Sequence, residues 1–343
     1  MKIVFMGTPD LAAEVLDTMM KSGCEVTLAV TQPDRPKGRG KSVIKTPVHE
    51  CADRWGIPVF SPVRVKRPEA VERLREEAPD LIVVAAFGQI LSKEILDLPR
   101  LGCVNVHASL LPAYRGAAPI QWAVINGEEK SGVTIMQMDE GLDTGDILLQ
   151  KEIPLASDET GESLYDKMAR LGGELLVKAL PMIEQGTLTP IKQDDSASCY
   201  APMLKKEMGN IDWSMPAVQI ERLVRGLNSW PGAYTFMNGK MLKIWGAEVC
   251  GADACGGAAA SGEPAGSEPA GACAATTGGD TLEGVGSEPG TVVGTDKKKI
   301  YVACCEGVLA LTEVQYEGKK RMNTQAFLLG AKVESGQKLT RER

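Results

Sequence analysis

A carboxamide and an imidazole stand two residues apart in an otherwise apolar segment of the chain. Asn105 and His107 alternate with Val104 and Val106, which is the period of a β-strand, so both polar side chains lie on one face. At the end of a buried strand, such a pair can bind a ligand and exchange a proton with it. A hydrogen-bonded core histidine beside a turn would explain the same residues without any chemistry.

A second polar segment supplies carboxylates. Residues 137–146 read Gln-Met-Asp-Glu-Gly-Leu-Asp-Thr-Gly-Asp and follow a strand-like run of Val, Ile and Met. Its glycines allow a tight loop, and a carboxylate held near His107 would fix the tautomer of the ring, as a general base requires. The spacing alone does not decide whether Asp139, Asp143 or Asp146 plays that part.

A third segment is basic. Residues 35–45 hold five Lys and Arg residues and no acid. Gly40-Lys41-Ser42 imitates the end of a phosphate-binding P-loop, but Arg35 stands where that motif requires glycine. The segment is therefore either a solvated, flexible loop or a contact for a polyanion.

The segments that position these residues alternate between strand and helix patterns in the first half of the chain. Short apolar runs rich in Val and Ile are separated by longer amphipathic stretches, which predicts a parallel sheet covered by helices on both faces. We therefore expect an α/β, Rossmann-like doubly wound domain over residues 1–190. The expected strands are 2–6, 25–31, 81–87, 102–108 and 133–138, and the expected helices are 10–22, 68–78 and 162–185, the last interrupted near Pro181.

The pattern changes after residue 190. We interpret residues 191–207 as a linker and residues 208–335 as a small β-barrel of the oligonucleotide-binding type. Asn238-Gly239 is a strong signal for a two-residue hairpin. It separates expected strands at 233–236 and 240–249; a helix is expected near 216–227, and further strands at 299–304, 308–314 and 331–334.

Residues 251–290 interrupt the predicted barrel. Of these 40 positions 21 are Gly or Ala, and none is Lys or Arg. Such a composition buries too little apolar surface to offset the entropy of ordering the chain. We interpret the segment as a flexible insertion in a hairpin loop, without a dedicated function.

Composition and charge exclude several classes of protein. No stretch approaches the about 18 consecutive apolar residues of a spanning helix, and the first residues run into a strand rather than a secretory leader, so we expect a cytoplasmic protein. The nine scattered cysteines indicate reduced thiols, and with only two histidines no His-rich metal site is expected. A net charge of −7 argues against a protein that binds nucleic acid non-specifically over most of its surface. Residues 205–250 and 291–343 nevertheless hold 16 Lys and Arg against 10 Asp and Glu, so a basic C-terminal domain could contact a polyanion.

Five motifs together resemble the folate-dependent formyltransferases. The resemblance covers essentially residues 1–250 and resumes after the Gly/Ala-rich segment. The motifs are Phe-Met-Gly-Thr-Pro-Asp at 5–10, Thr-Gln-Pro-Asp-Arg-Pro at 31–36, Asn-Val-His at 105–107, Ser-Leu-Leu-Pro with Tyr-Arg-Gly at 109–116, and Gly-Leu-Asp-Thr-Gly at 141–145. Motifs of this number and length make the family signal specific.

The resemblance implies a catalytic triad of Asn105, His107 and Asp143. In a formyl transfer an amine attacks the formyl carbon, and a tetrahedral oxyanion develops. The amide of Asn105 can donate to that oxyanion, as positioned donors commonly do. His107, held by Asp143, can either stabilise the charge or relay the proton.

The resemblance also implies the donor and its pocket. Ser109, Leu110, Leu111 and Pro112 would line a folate pocket, and the formyl donor would be 10-formyltetrahydrofolate. No metal or nucleotide cofactor is required.

The acceptor implied by the resemblance is the methionyl initiator tRNA. The basic loop would enter its acceptor stem, with Arg39 at the matching position and Lys37 and Lys41 beside it. Flexible Gly-Arg-Gly chemistry suits a segment that orders on nucleic acid. We expect a monomer with no membrane contact.

Two other classes of function compete with this interpretation. A formyltransferase acting on a small amine, or a hydrolase of formyltetrahydrofolate, would share the triad but would not need the basic loop. A non-catalytic nucleotide- or RNA-binding protein would give no reason for Asn105, His107 and Asp143 to occur together.

The substitution Arg39→Ala is predicted to weaken use of charged initiator tRNA and to leave binding of formyl-folate unchanged. The log–log salt dependence of tRNA binding should flatten by about one unit per lost phosphate contact. Measuring kcat/KM for tRNA across a salt series, beside folate affinity by fluorescence, tests this. Arg39→Lys keeps the charge without the planar fork, so partial rescue would indicate a mainly electrostatic contact. Loss of folate binding with unchanged tRNA kinetics would assign the loop to the folate pocket instead.

Overall fold

The computed structural model describes residues 1–37, 42–250, 275–277, 280–282 and 287–343. Contacts divide the chain into an N-terminal unit, Met1–Ala123 with Glu128–Met203, and a C-terminal unit, Val124–Gly127 with Leu204–Arg343. Of the 40 residues of the predicted insertion, 30 lie outside the described residues. Within the described ranges, no helix combines the length and apolar character that crossing a bilayer demands.

The first part of the chain, up to residue 203, alternates strands and helices as predicted. The strands are β1 Ile3–Gly7, β2 Val26–Val30, β3 Arg35–Lys37, β4 Ser42–Ile44, β5 Val59–Phe60, β6 Leu81–Ala85, β7 Cys103–His107, β8 Arg115–Gly116, β9 Lys130–Gln137, β10 Ile147–Pro154 and β11 Tyr200–Ala201. The helices are α1 Asp10–Lys21, α2 Pro47–Trp55, α3 Pro68–Glu77, α4 Lys93–Leu96, α5 Pro119–Asn126 and α6 Gly161–Glu184, and a 3₁₀ turn spans Asp195–Ala197.

The large sheet of the N-terminal unit has the order β10-β9-β7-β6-β1-β2-β5. Strands β5, β2, β1, β6 and β7 pair in parallel. One face packs on α3 and α4 through a cluster of buried apolar side chains, and α1 and α6 cover the other face. The predicted doubly wound α/β domain is therefore confirmed.

The sheet is not parallel throughout. Strand β9 pairs antiparallel with β7, and β10 pairs antiparallel with β9. Six successive residues of β9 are buried, and a continuously buried strand has the same sequence pattern in either direction. The apolar pattern therefore could not indicate which way this strand runs.

Helix α6 passes through Pro181 and ends at Glu184, so the predicted interruption is wrong. The proline ring removes one backbone hydrogen bond. Leu175, Leu176, Ala179 and Leu180 are all buried just before it, and tertiary packing of an apolar face supplies most helix stability in proteins.

The C-terminal unit is built on a mostly antiparallel sheet. Its elements are a 3₁₀ turn at Lys206–Gly209, helices α7 Ala217–Gly226 and α8 Thr324–Gly330, and strands β12 Ala233–Met237, β13 Lys240–Cys250, β14 Ala275–Thr277, β15 Asp280–Leu282, β16 Val292–Thr295, β17 Ile300–Ala303, β18 Val308–Tyr316, β19 Met322–Asn323 and β20 Leu339–Thr340. The main sheet has the order β16-β17-β18-β13-β12-β20. It curves around one apolar core as a half-barrel, and this confirms the predicted C-terminal β-barrel class.

The hairpin predicted at Asn238-Gly239 is confirmed, because β12 and β13 pair antiparallel across it and both residues have positive φ. The strand predicted at residues 331–334 is wrong. Ala331 and Val333 pack against the core without strand pairing, directly after helix α8. Alternating apolar residues thus mark burial here but not a strand.

Two adjacent glycines allow α6 to approach its neighbours closely. A Cβ on Gly172 would lie 2.8 Å from Cγ1 of Val106, which separates Asn105 from His107 on β7. A Cβ on Gly173 would lie 2.8 Å from Cβ of Thr18 on α1. The packing of α6 on the sheet therefore depends on the absence of a side chain at Gly172, and its packing on α1 depends on the same absence at Gly173.

Gly173→Ala is predicted to destabilise the protein by about 1–3 kcal/mol, because overpacking outweighs the better helix propensity of alanine. Denaturant unfolding of the variant and the parent measures the difference. Gly330→Ala is the matched control, since a Cβ there meets nothing within 4 Å. Equal stability of Gly173→Ala and the parent would contradict this packing argument.

Candidate active site

The two polar side chains of β7 face a cavity of about 650 Å³ in the N-terminal unit. Asn105 and His107 both line it, as do residues that follow β1 and β6. His107 is the last residue of β7, so the cavity lies toward the carboxyl ends of the parallel strands, where open α/β sheets hold ligands.

A loop between β9 and β10 brings the third polar side chain to the cavity. Because β9 runs antiparallel, it ends beside the start of β7, where Gln137 pairs with Val104. The loop must therefore run back along β7 to reach its carboxyl end. Asp143 lies on this returning part of the loop and lines the cavity.

The carboxylate of Asp143 stands between Asn105 and His107. Asn105 Nδ2 donates to Asp143 Oδ1 over 3.4 Å, and His107 Nδ1 lies 3.7 Å from Asp143 Oδ2. The backbone N–H of Gly116 donates to the same Oδ2 over 2.8 Å. The structure thus brings together the three residues of the expected triad, and the side chains of His107 and Asp143 are 6% and 15% exposed.

The other two acids of the loop have different surroundings. The carboxylate of Asp139 accepts hydrogen bonds from Gly141 N and Thr144 Oγ1, and so stabilises the loop itself. Asp146 stands at the start of β10, where its backbone carbonyl accepts from Gln137 N. Of the three acids that spacing left open, Asp143 is the one that contacts Asn105.

The second ring nitrogen of His107 has a fixed partner. Nε2 lies 2.9 Å from the carbonyl oxygen of Tyr114, and a carbonyl can only accept, so Nε2 carries the hydrogen of the neutral ring. Nδ1, which faces Asp143, is then the nitrogen that can take up a proton.

Residues 109–112, which were predicted to line the folate pocket, do not line the cavity, and two of them are buried against other parts of the N-terminal unit. Ser109 and Leu111 are 1% and 3% exposed, and Ser109 Oγ donates to the Ala113 carbonyl over 2.7 Å. Leu111 packs on Met136 and Ile147. Neither these residues nor Leu110 or Pro112 line the cavity, so their contact with folate stays a prediction.

Sequence reasoning missed a part of the cavity wall. Phe87, Gly88, Gln89, Ile90 and Leu91 follow β6 and line the cavity. The available signal was their position directly after a buried parallel strand, at the edge where ligands bind in this class of fold.

Tyr165 of helix α6 also lines the cavity. Burial raises the pKa of its phenol above the ordinary value, and its oxygen accepts the backbone N–H of Leu11 over 3.0 Å. The phenol of Tyr165 therefore stays neutral at physiological pH. Its hydrogen bond with Leu11 holds the first turn of helix α1 in place.

Two basic residues predicted to contact nucleic acid, Arg39 and Lys41, lie outside the described residues, as does the side chain of Lys37. The flanking strands β3 and β4 pair as a hairpin. At its base the Asp34 carboxylate accepts from Thr46 N over 3.1 Å and contacts His49 Nδ1. The contact of the loop with tRNA stays a prediction.

The N-terminal unit thus has a doubly wound sheet with Asn105, His107 and Asp143 clustered at its carboxyl edge, and the C-terminal unit is a half-barrel. The chain belongs to the formyl transferase family: the family model described as formyl transferase matches residues 1–180, and formyl transferase, C-terminal domain, matches residues 203–332. This confirms the resemblance that the motifs indicated.

Similar proteins give a narrower comparison. The chain is 49% identical over 336 residues to the methionyl-tRNA formyltransferase of Agathobacter rectalis, covering 98% of both chains. It is 47% identical over 336 residues to the methionyl-tRNA formyltransferase of Citrifermentans bemidjiense, covering 98% of this chain and 95% of that one.

Solved structures share the fold at lower identity. The sugar 3N-formyl transferase WlaRD, in the presence of dTDP and 5-N-formyl-THF, has a TM-score of 0.61 and 18% identity over 93% of this chain and 99% of that chain. HypX from Aquifex aeolicus, in complex with tetrahydrofolic acid, has a TM-score of 0.59 and 19% identity over 96% of this chain and 47% of that chain.

The neutral ring of His107 is predicted to carry its hydrogen on Nε2. Long-range ¹H–¹⁵N correlation at about pH 9, well above the ordinary titration range of histidine, identifies the tautomer. His49 is the only other histidine in the chain, so removing it by substitution assigns the signals. An Nδ1–H tautomer would show that the Tyr114 carbonyl does not orient this ring.

Proposed function

We propose that the chain transfers the formyl group of 10-formyltetrahydrofolate to the free amino group of methionyl initiator tRNA, giving N-formylmethionyl-tRNA for translation initiation. The observation that carries the proposal is 49% identity to a methionyl-tRNA formyltransferase over 98% of both chains. An alignment over 98% of the chain includes both formyl transferase domains, residues 1–180 and 203–332. The enzyme would act in the cytoplasm as a monomer.

The proposed reaction assigns the first role to Asn105. The methionyl amine attacks the formyl carbon, a C–N bond forms, and the carbonyl oxygen becomes an oxyanion. One hydrogen of the Asn105 amide points to Asp143 Oδ1, so the second hydrogen is available to the oxyanion. Collapse of the intermediate breaks the bond to the folate nitrogen, which leaves with a proton.

His107 and Asp143 share the proton chemistry of this proposal. The attacking amine loses a proton and the leaving folate nitrogen gains one. In a relay, Nδ1 of His107 would take the proton of the amine and pass it to the folate nitrogen, whereas stabilising the oxyanion needs a hydrogen already on Nδ1. Asp143 Oδ2 lies 3.7 Å from that atom, so the carboxylate faces the ring nitrogen that would carry the proton.

The cavity would hold the donor. Phe87, Ile90, Leu91 and Leu142 give its wall apolar surface, which suits the flat rings of a folate. Ser109, Leu110, Leu111 and Pro112 follow His107 directly and would contact the donor beyond the residues that define the cavity.

The basic groups would bind the acceptor. Lys37, Arg39 and Lys41 would contact phosphates of the tRNA acceptor stem, helped by residues 205–250 and 291–343, in which Lys and Arg outnumber Asp and Glu by 16 to 10. The proposal assigns no role to a metal, because a neutral amine is already a nucleophile and the oxyanion has hydrogen-bond donors.

Purified protein is predicted to formylate charged initiator tRNA with 10-formyltetrahydrofolate far faster than any small amine. His107→Ala and Asp143→Asn should each lower kcat/KM for tRNA by about 10²–10⁴-fold, since each removes a group from the proton chemistry. Circular dichroism checks that both variants are folded.

Lys178→Ala serves as the control, because Lys178 is exposed on helix α6 and does not line the cavity. Its activity should match that of the parent. Faster formylation of a small amine, or hydrolysis of the donor without an acceptor, would contradict the proposed acceptor. Near-normal turnover in a folded His107→Ala or Asp143→Asn variant would remove that residue from the mechanism.

A further inference from the structure

The backbone of Asp143 has a conformation that needs support. Its φ is +53°, in the left-handed region that residues with a side chain rarely adopt. The residue lies on a loop rather than in the sheet, so strand pairing does not hold it. Contacts from elsewhere in the chain must therefore keep this residue in place.

Gln193 makes the most direct of these contacts. Its Nε2 donates to the backbone carbonyls of Asp143 over 2.8 Å and of Gly145 over 2.7 Å. These carbonyls stand on either side of Thr144, so one side-chain amide holds both ends of the turn. The segment of Gln193 was predicted to be a linker.

The orientation of the Gln193 amide is itself fixed. Its Oε1 accepts from Nε and Nη2 of Arg115 over 3.0 and 2.9 Å, and Arg115 Nη2 also donates to Asp195 Oδ1 over 2.8 Å. The amide thus uses both donors and both lone pairs of its oxygen. Turning it over would place its NH₂ against a guanidinium and its oxygen against two carbonyls.

The same segment holds the carboxylate of Asp143 through a second route. Strand β11, Tyr200–Ala201, pairs in parallel with β8, Arg115–Gly116, and Gly116 N donates to Asp143 Oδ2. A Cβ on Gly116 would lie 2.8 Å from the Ala201 carbonyl. Residues 193–201 therefore hold Asp143 by both its backbone and its side chain.

We propose that Gln193, oriented by Arg115, is a positioning residue that holds Asp143 in register with His107 and Asn105. It acts through Asp143 and does not touch the reacting atoms. The inference rests on the proposed function, because it takes Asp143 as catalytic. The hydrogen bonds of Gln193 identify it as part of the site, although no sequence motif had indicated this residue.

The kinetic test compares Gln193→Ala and Gln193→Glu with the parent. Glutamate keeps the size but lacks the two N–H donors, and it places a carboxylate oxygen against two carbonyls. Both variants should lower kcat for formyl transfer about 10–100-fold, the effect of a small misplacement of a catalytic group. KM for tRNA and for the donor should change less than about threefold, because substrate contacts remain.

Lys192→Ala is the matched control, since Lys192 is the exposed neighbour of Gln193 on the same segment. It should leave kcat unchanged. Arg115→Lys keeps the charge but loses the two parallel N–H donors of the guanidinium, so it should lower kcat less than Gln193→Ala. If Gln193→Ala does not fold, Arg115→Lys replaces it in the test. Normal kcat in folded Gln193 variants, or a loss that lies only in KM, would overturn the inference.

A spectroscopic test separates positioning from general loosening. With only two histidines in the chain, the ring signals of His107 can be followed with those of His49 as an internal reference. Gln193→Ala should shift the His107 signals and leave the His49 signals in place. In an Asp143→Ala background the same substitution should add no further shift, because the group through which it acts is absent.

The outcomes also distinguish the two proposals. A further His107 shift in the Asp143→Ala background, or no shift in the parent background, would overturn positioning through Asp143. Normal activity of Asp143→Ala would instead overturn the proposed catalytic role, whatever Gln193 does to the His107 signals.

Discussion

The orientation of the Asp143 carboxylate is the constraint on which the rest of the site depends. Asn105 and His107 are fixed by β7, which pairs with a strand on each side. The third polar group has to come from a loop, and its backbone there is left-handed. At the far end of that loop the backbone of Gly145 comes so close to Gln137 that a Cβ would lie 1.8 Å from the Gln137 carbonyl oxygen, so only glycine fits there. The site therefore combines a rigid strand with one tightly held turn.

A largely buried carboxylate is stable only when donors surround it. The N–H of Gly116 and the amide of Asn105 supply two such donors to Asp143. The same amide has a second hydrogen for a ligand, and the carboxylate faces Nδ1 of His107, the ring nitrogen that the contact of Nε2 with the Tyr114 carbonyl leaves able to gain a proton. The contacts that stabilise the buried charge of Asp143 are thus the same contacts that orient Asn105 and His107.

The sequence predicted the parts of this structure that local patterns encode. Alternating buried strands and amphipathic helices predicted the doubly wound sheet, and Asn238-Gly239 predicted the hairpin of the second unit. The direction of β9 could not be predicted, because a strand buried on both faces has no directional pattern. Gln193 was missed for a related reason: its partners Asp143 and Arg115 are 50 and 78 residues away in sequence. Such contacts exist only once the chain has folded back.

The central claim is that His107 and Asp143 act as one unit in formyl transfer. A double-mutant cycle on the single-turnover rate, with His107→Ala, Asp143→Asn and both together, tests it most directly. Residues that act as a unit lose their effect together, so the double variant should be about as slow as the slower single variant. Rate losses that multiply in the double variant would show two independent contributions and would contradict the account.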